Sequence, residues 1–475
     1  MKVLYCTSEA APFAVTGGLG EVAGSLPQAL RMRLIGCRVV MPLYEDIPQE
    51  LRDGMKFVTS LSVPVAWRRQ YCGVFETHLG GVIIYLIDNQ YYFKRHGLYG
   101  HYDDAERFAF LSRAALEMLP YIDFKPDIIH ANDWQTALVP IYFSIFYASK
   151  EWYRGIKTVF TIHNIQYQGK YGKDLIEDVL GIPESSVPLV EYDSCVNLLK
   201  GAVECADRVT TVSPTYAKEI LDPWFSYGLE GILQGRSYKI SGILNGIDTR
   251  VYNPETDKNL YANYTADDLA GKAVNKAELQ KRLNLKQEPD TPMVAMVTRM
   301  VSSKGFDLLE QTMDRMMKET NIQFVILGSG DWEYENFFKE IQGRYPGRLC
   351  ACFGFIPELS HKIYAAADIF LMPSRTEPCG LGQMIAMTYG AVPVVRETGG
   401  LKDTVSDSGD GKGNGFIFRD YSGDDLVKAV ERALKGYSKQ EGWKILIKRC
   451  MKGNFSWGHS ANEYIRLYRS LIRKK

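Results

Sequence analysis

Short, continuously apolar runs alternate along this chain with longer stretches whose apolar residues recur every three or four positions. In the first half the runs are KVLYCTS (2–8), CRVVMPL (37–43), VIIYLID (82–88), DIIHAND (127–133), TVFTIHN (158–164), RVTTVS (208–213) and KISGILNG (239–246). Unbroken apolarity over so few residues predicts strands covered on both faces, the mark of a parallel sheet. Helical periodicity falls between them at 104–119, 134–147 and 214–221. A polar, turn-rich stretch then places a linker near 248–260, after which a second series begins: MVAMVTR (293–299), QFVILGSG (323–330), RLCACFG (348–354), DIFLMPS (368–374), AVPVVRE (391–397) and GFIFRD (415–420). The last segment, FSWGHSANEYIRLYRSLIRKK, reads as a helix with Ile465, Leu467, Tyr468 and Leu471 on its apolar face. The pattern predicts an α/β protein of two Rossmann-like, doubly wound domains, with ligand crevices opposed and the substrate between them. The expected boundaries are 1–248, 249–455 and a C-terminal helix, 456–475, crossing back to the first domain.

Composition changes this picture little, but it excludes some functions. The 475 residues carry 56 Lys+Arg against 56 Asp+Glu, which argues against bulk affinity for nucleic acid or anionic membranes. No apolar run approaches membrane-spanning length, and MKVLYCTSEAAPF reads as an immediate strand rather than a leader, so a soluble cytoplasmic protein is expected. Nine cysteines without a CxxC pair suggest a reduced protein with no cysteine metal site. Cys350 and Cys352, on one apolar strand, are expected to point their thiols to opposite faces.

Candidate chemistry gathers at strand ends. The turn Thr16-Gly17-Gly18-Leu19 recurs as Thr398-Gly399-Gly400-Leu401. Glycines between a strand and a helix let the backbone approach a ligand, and the helix N-terminus favours an anion; a plain turn is the alternative. In PSRTEPCGLGQM a strand ends at Pro373 and a helix begins near Cys379-Gly380-Leu381-Gly382, whose N–H groups can face a phosphate. Glu377 can accept hydrogen bonds from sugar hydroxyls, or it can pair with Arg375 or cap the helix. Arg299 and Lys304, in VTRMVSSKGFDLL, stand where a doubly wound domain binds ligands and can clamp a diphosphate leaving group. The alternative for them is two solvated bases. His130 and His163 each end a strand, a position more often structural than catalytic, and neither has metal-ligand spacing. No Asp-x-Asp triplet occurs, which disfavours a metal held that way, and no cofactor is implied.

These segments resemble, in order and over essentially the whole chain, the bacterial glycogen synthases and plant starch synthases. The carriers are TGGLGEVAGSLP, YYFKRHGLYG, DDAERFAFLSRAALE, HANDWQTALVP, TIHNIQYQG, ADRVTTVSPTYAKEI, ILNGIDTRVYNP, TRMVSSKGFDLL, PSRTEPCGLGQMIAM and VPVVRETGGLKDTV. The resemblance implies a retaining GT-B glucosyltransferase, its two domains facing across a deep cleft. Such an enzyme passes glucose from ADP-glucose, or UDP-glucose, to the non-reducing end of an α-1,4-glucan. It further implies that Arg299 and Lys304 hold the diphosphate, Glu377 the donor glucose, and the backbone N–H groups of Gly380, Leu381 and Gly382 the phosphates, with Val15, Cys379 and Thr398 also at the donor. His130 would lie against the glucose, Asp133 and Asn164 near the donor–acceptor junction, and Gly17 and Gly18 under the distal phosphate. Glu21, Tyr92 and Asn197 would lie on the acceptor side. The chain departs from the family where Val15 replaces the lysine of Lys-Thr-Gly-Gly-Leu, and at Glu21, Thr376 and Thr388. Those departures leave open a weakened or inactive relative that only binds glucan. A glucan phosphorylase would need pyridoxal phosphate on a lysine, and no segment resembles that site.

Overall fold

The computed structural model describes residues 1–472, which divide into two compact units: Met1–Gly246 with the helix Trp457–Ile472, and Ile247–Ser456. The last three residues of the helix expected over 456–475 lie outside the described residues.

The first unit is built on β1 (Lys2–Cys6), β2 (Gly36–Pro42), β3 (Lys56–Val65), β4 (Arg68–Leu79), β5 (Val82–Asp88), β6 (Ile128–Asn132), β7 (Lys157–Ile162), β11 (Arg208–Thr211) and β12 (Ile240–Gly242), with β8 (Lys170–Tyr171), β9 (Glu191–Tyr192) and β10 (Cys195–Asn197) forming a small separate sheet. The nine-stranded sheet runs β12-β11-β7-β6-β1-β2-β5-β4-β3. It is parallel from β12 to β5, and apart from half-buried β12 the strands there are mostly buried, as their apolar runs predict. β4 and β3 continue it antiparallel as a hairpin. Strand order reverses between β1 and β6, so the loops leaving these two strands flank a crevice at the switch point.

In the second unit β13 (Met293–Val297), β14 (Gln323–Gly328), β15 (Leu349–Phe353), β16 (Ile369–Met372), β17 (Val392–Arg396) and β18 (Phe416–Phe418) form one all-parallel sheet, ordered β15-β14-β13-β16-β17-β18. Here the reversal lies between β13 and β16. Helices Phe306–Glu319 and Gly423–Tyr437 cover one face over a Met- and Phe-rich core.

Two expectations fail locally. The helix expected over 134–147 is three pieces: a 3₁₀ turn Trp134–Thr136, an α-helix Leu138–Tyr142 containing Pro140, and a π turn Phe143–Tyr147. The thiols of Cys350 and Cys352 do not point to opposite faces. Residues two apart on a strand share a face, and the two Sγ atoms lie 3.9 Å apart.

Candidate functional site

In the second unit the sheet's switch point carries the two cations and the acid. β13 releases Arg299 just past its end, and the turn Ser302–Lys304 follows, closed by Gly305 at φ 83°. A Cβ on Gly305 would stand 2.2 Å from the Pro373 carbonyl oxygen, so only glycine lets the lysine turn lie flush against the end of β16. The Arg375 N–H ties the same two loops by donating to Ser303 O at 2.9 Å. Lys304 Nζ thereby reaches both carboxylate oxygens of Glu377, at 2.8 and 2.7 Å, and the Ser374 hydroxyl donates to the same carboxylate at 3.0 Å. Arg375 instead pairs with Asp307 at 2.9 Å, so the Glu377–Arg375 bridge weighed from sequence is not formed. The Arg299 side chain makes no hydrogen bond or ion pair among the described residues, and the residue is exposed, leaving its charge free for a ligand.

Cys379 is buried, while Gly380 (φ 72°), Leu381 and Gly382 lie half-buried ahead of the helix Gly382–Thr388, whose first N–H groups have no intrahelical acceptor. In the second TGGL turn both glycines pack closely against main chain. A Cβ on Gly399 would lie 1.9 Å from Glu377 O, and one on Gly400 2.0 Å from Cys379 O. These glycines press the helix Gly399–Thr404 onto the main chain that carries Glu377. Thr398 is fully buried at the start of that helix.

In the first unit the first TGGL turn behaves differently. Nothing lies within 4 Å of a Cβ built on Gly17 or Gly18, so these glycines face open space at the start of the helix Gly18–Arg31. The loop is anchored by buried Glu9, whose carboxylate accepts from the Thr16 N–H and, at 3.0 Å, from its hydroxyl. Glu9 is a positioning residue that the motif reading missed, although it opens the same segment, seven residues before Thr16. Val15 is exposed and Glu21 half-exposed on the helix's first turn. Across the switch point Asp133, at φ 55°, turns its carboxylate back to the His163 N–H at 2.7 Å and the Asn164 N–H at 3.4 Å. Burial pushes the Asp133 carboxyl up to about 7 against the pull of those two N–H groups.

His130 lies in the interior of the first unit. It is fully buried, with Nδ1 2.7 Å from the Tyr468 hydroxyl and Nε2 2.6 Å from the Thr161 hydroxyl, so both nitrogens are occupied. The histidine beside Asp133 and Asn164 is His163, whose Nε2 lies 3.0 Å from Asn132 Oδ1. Tyr92 and Asn197 are likewise corrected: both are fully buried. Tyr92 bonds Glu106; Asn197 caps its helix by accepting from the Lys200 N–H and donates to Gln168 at 2.7 Å. What does open to solvent is a cavity of about 370 Å³, lined by Trp134, Gln166, Tyr167, Gln168, Tyr171 and Tyr227 among others. It begins one residue past Asp133 and two past Asn164. Gly169, at φ 63°, lets Trp134 lie against it: a Cβ there would stand 2.9 Å from the indole.

Burial holds His130 and His163 down to about 3, so both are neutral in the fold but titrate near 6.5 in the unfolded chain. The unfolded state therefore binds more protons below that value. This contribution to stability is fully present above about pH 6.5 and is lost progressively toward about pH 3. Melting temperatures measured from about pH 7 to about pH 4 are expected to fall for the wild type and to fall less steeply for His130→Gln. Equal slopes would show that His130 carries no such linkage.

Strand-end cations in one doubly wound unit and an open glycine turn in another define a GT-B glycosyltransferase. A starch synthase catalytic-domain model matches residues 2–235, and a model of group 1 glycosyl transferases matches 276–447. The chain is 48% identical to the glycogen synthase of Geobacillus thermodenitrificans, covering 100% of this chain and 99% of that one. It is 46% identical to that of Alkaliphilus metalliredigens, covering 99% and 100%. The catalytic domain of starch synthase IV from Arabidopsis thaliana, solved bound to ADP and acarbose, superposes with a TM-score of 0.92 at 36% identity, covering 99% of both chains. Sucrose-phosphate synthase from Thermosynechococcus elongatus shares the fold at TM-score 0.64 and 17% identity. The chain belongs to the glycogen and starch synthase family of glucosyltransferases. Identity sustained along the whole chain does not favour the reading as a binding-only relative. Among the described residues no helix is long and apolar enough to cross a membrane.

Proposed function

We propose that this chain transfers glucose from ADP-glucose, with UDP-glucose the competing donor, to the non-reducing end of an α-1,4-glucan, with retention and without a metal, in the cytoplasm. The observation that carries this reading is the pairing of Arg299 and Lys304 at the switch point of the second unit, where two cations can neutralise a departing diphosphate. The acceptor hydroxyl oxygen bonds to the glucose C1 as the C1–O bond to the diphosphate breaks. The hydroxyl proton passes to the leaving phosphate oxygen on the same face, so no enzymic nucleophile is needed. Glu377 orients the donor sugar, the Gly380–Gly382 backbone and Gly17 and Gly18 meet the phosphates, and Asp133, His163 and Asn164 border the reacting centre. The aromatic and amide lining of the Trp134 cavity suits a glucan chain, replacing Tyr92 and Asn197 as the acceptor contacts. The relative solved with ADP and acarbose supports both halves of the reading.

Val15 withholds a charge-assisted contact of about 1.5–3 kcal/mol that a lysine would supply. Glucose transfer from ADP-glucose and UDP-glucose to a maltooligosaccharide primer tests the proposal. The wild type is expected to transfer glucose, preferring ADP-glucose, and Val15→Lys to be about ten- to a hundredfold faster. If neither form transferred glucose while both still bound glucan, the proposal would fall.

A further inference from the structure

Tyr227 lines the Trp134 cavity, 43% exposed, with its backbone at φ 51°. A bulky residue in that left-handed region is an outlier, and it persists only where its surroundings over-determine it. Two side chains from other segments of the first unit supply the constraint. Gln168 Nε2 donates to the Tyr227 carbonyl at 3.1 Å, and the Tyr192 hydroxyl donates to the Gly228 carbonyl at 3.0 Å. The Gln168 amide is itself oriented. Asn197 Oδ1 accepts from the Lys200 N–H at 3.0 Å, capping the helix Leu198–Cys205, so its Nδ2 is left to donate to Gln168 Oε1, at 2.7 Å. With its oxygen taken, Gln168 has its Nε2 to offer Tyr227. Asn197 is fully buried and so acts on the cavity only through Gln168.

We propose that Gln168 and Tyr192 are positioning residues that hold Tyr227 as a stacking platform for a sugar ring of the acceptor glucan, and so set the affinity for that acceptor. This rests on the Trp134 cavity being the glucan site of the proposed function. A tyrosine face supplies a large, stiff, amphipathic contact. Without its two donors the main chain at Tyr227 would leave the left-handed region and carry the ring away. Holding it there in advance spares the acceptor the cost of ordering it. The platform meets the glucan alike before and during transfer, so its loss falls on KM rather than on kcat.

Steady-state kinetics with ADP-glucose and maltoheptaose, beside calorimetric titration of maltoheptaose without donor, test this on the full chain. Tyr192→Phe and Gln168→Met, each removing one hydrogen bond, are expected to raise the maltoheptaose KM and Kd about two- to tenfold. Tyr227→Ala is expected to raise both about tenfold or more, and Tyr227→Phe, which restores the ring, to recover most of that loss. The change is expected in these constants rather than in kcat or the KM for ADP-glucose, a split that a general loosening of the fold would not give. Transfer by the wild type with unchanged maltoheptaose constants in Tyr192→Phe, Gln168→Met and Tyr227→Ala would overturn this inference and leave the proposed function standing. A wild type that binds maltoheptaose without transferring glucose would overturn the proposed function, and the Kd series alone would then decide for or against the platform. A wild type that does not bind maltoheptaose would overturn both.

Discussion

Replacing Lys304 with alanine is expected to lower kcat for glucosyl transfer by about a hundred- to a thousandfold, the usual cost of removing one preorganised group that stabilises developing charge. The same substitution removes the cation paired with Glu377. A fully buried carboxylate left alone costs about 3–5 kcal/mol; here the lysine side chain is 19% exposed, so water can reach the gap and the cost is smaller. Loss of stability and loss of chemistry must therefore be separated. The double variant Lys304→Ala/Glu377→Gln is expected to recover most of the melting temperature and none of the turnover. Near-wild-type turnover in Lys304→Ala would remove Lys304 from the diphosphate clamp.

Glu377→Gln is expected to fold normally, because the amide keeps the shape and can still accept from the Ser374 hydroxyl. The lysine is then no longer neutralised, so ADP, which carries the diphosphate without the sugar, is expected to bind as tightly as before or more tightly. Turnover is expected to drop about ten- to a hundredfold, the worth of a charged hydrogen bond to a sugar hydroxyl. Steady-state kinetics beside ADP titration resolve the two effects. Unchanged turnover would leave Glu377 as no more than the residue that holds Lys304 in place.

Much of this arrangement could be read along the chain. The apolar runs predicted most of the parallel strands in both units, because a strand buried on both faces has no room for polar positions. Arg299, Lys304 and Glu377 were legible because each follows such a run directly. The hairpin β3–β4 was not: its residues alternate in exposure along a sheet edge, and nothing in a mixed run such as RRQYCGVFETHL marks where it pairs. The surroundings of His130 were not legible for a related reason. A strand-end histidine shows its position but not its partners, and those of His130 lie 31 and 338 residues away. The two TGGL turns look alike in sequence, and only the main chain opposite them shows that one faces open space and the other packs against its neighbours.

The helix Trp457–Ile472 sets a timetable for biosynthesis. Its Tyr464 and Tyr468 rings pack on His130, and Tyr468 supplies one of that imidazole's two hydrogen-bond partners. A ribosome makes these tyrosines only after the whole of the second unit. The second unit is contiguous in sequence and begins where the Ile247 N–H donates to Phe455 O at 2.8 Å, so it can complete itself first. The first unit, although synthesised earlier, must wait with an open core until its last helix arrives. Folding during synthesis thus finishes in the reverse of the usual N-to-C order.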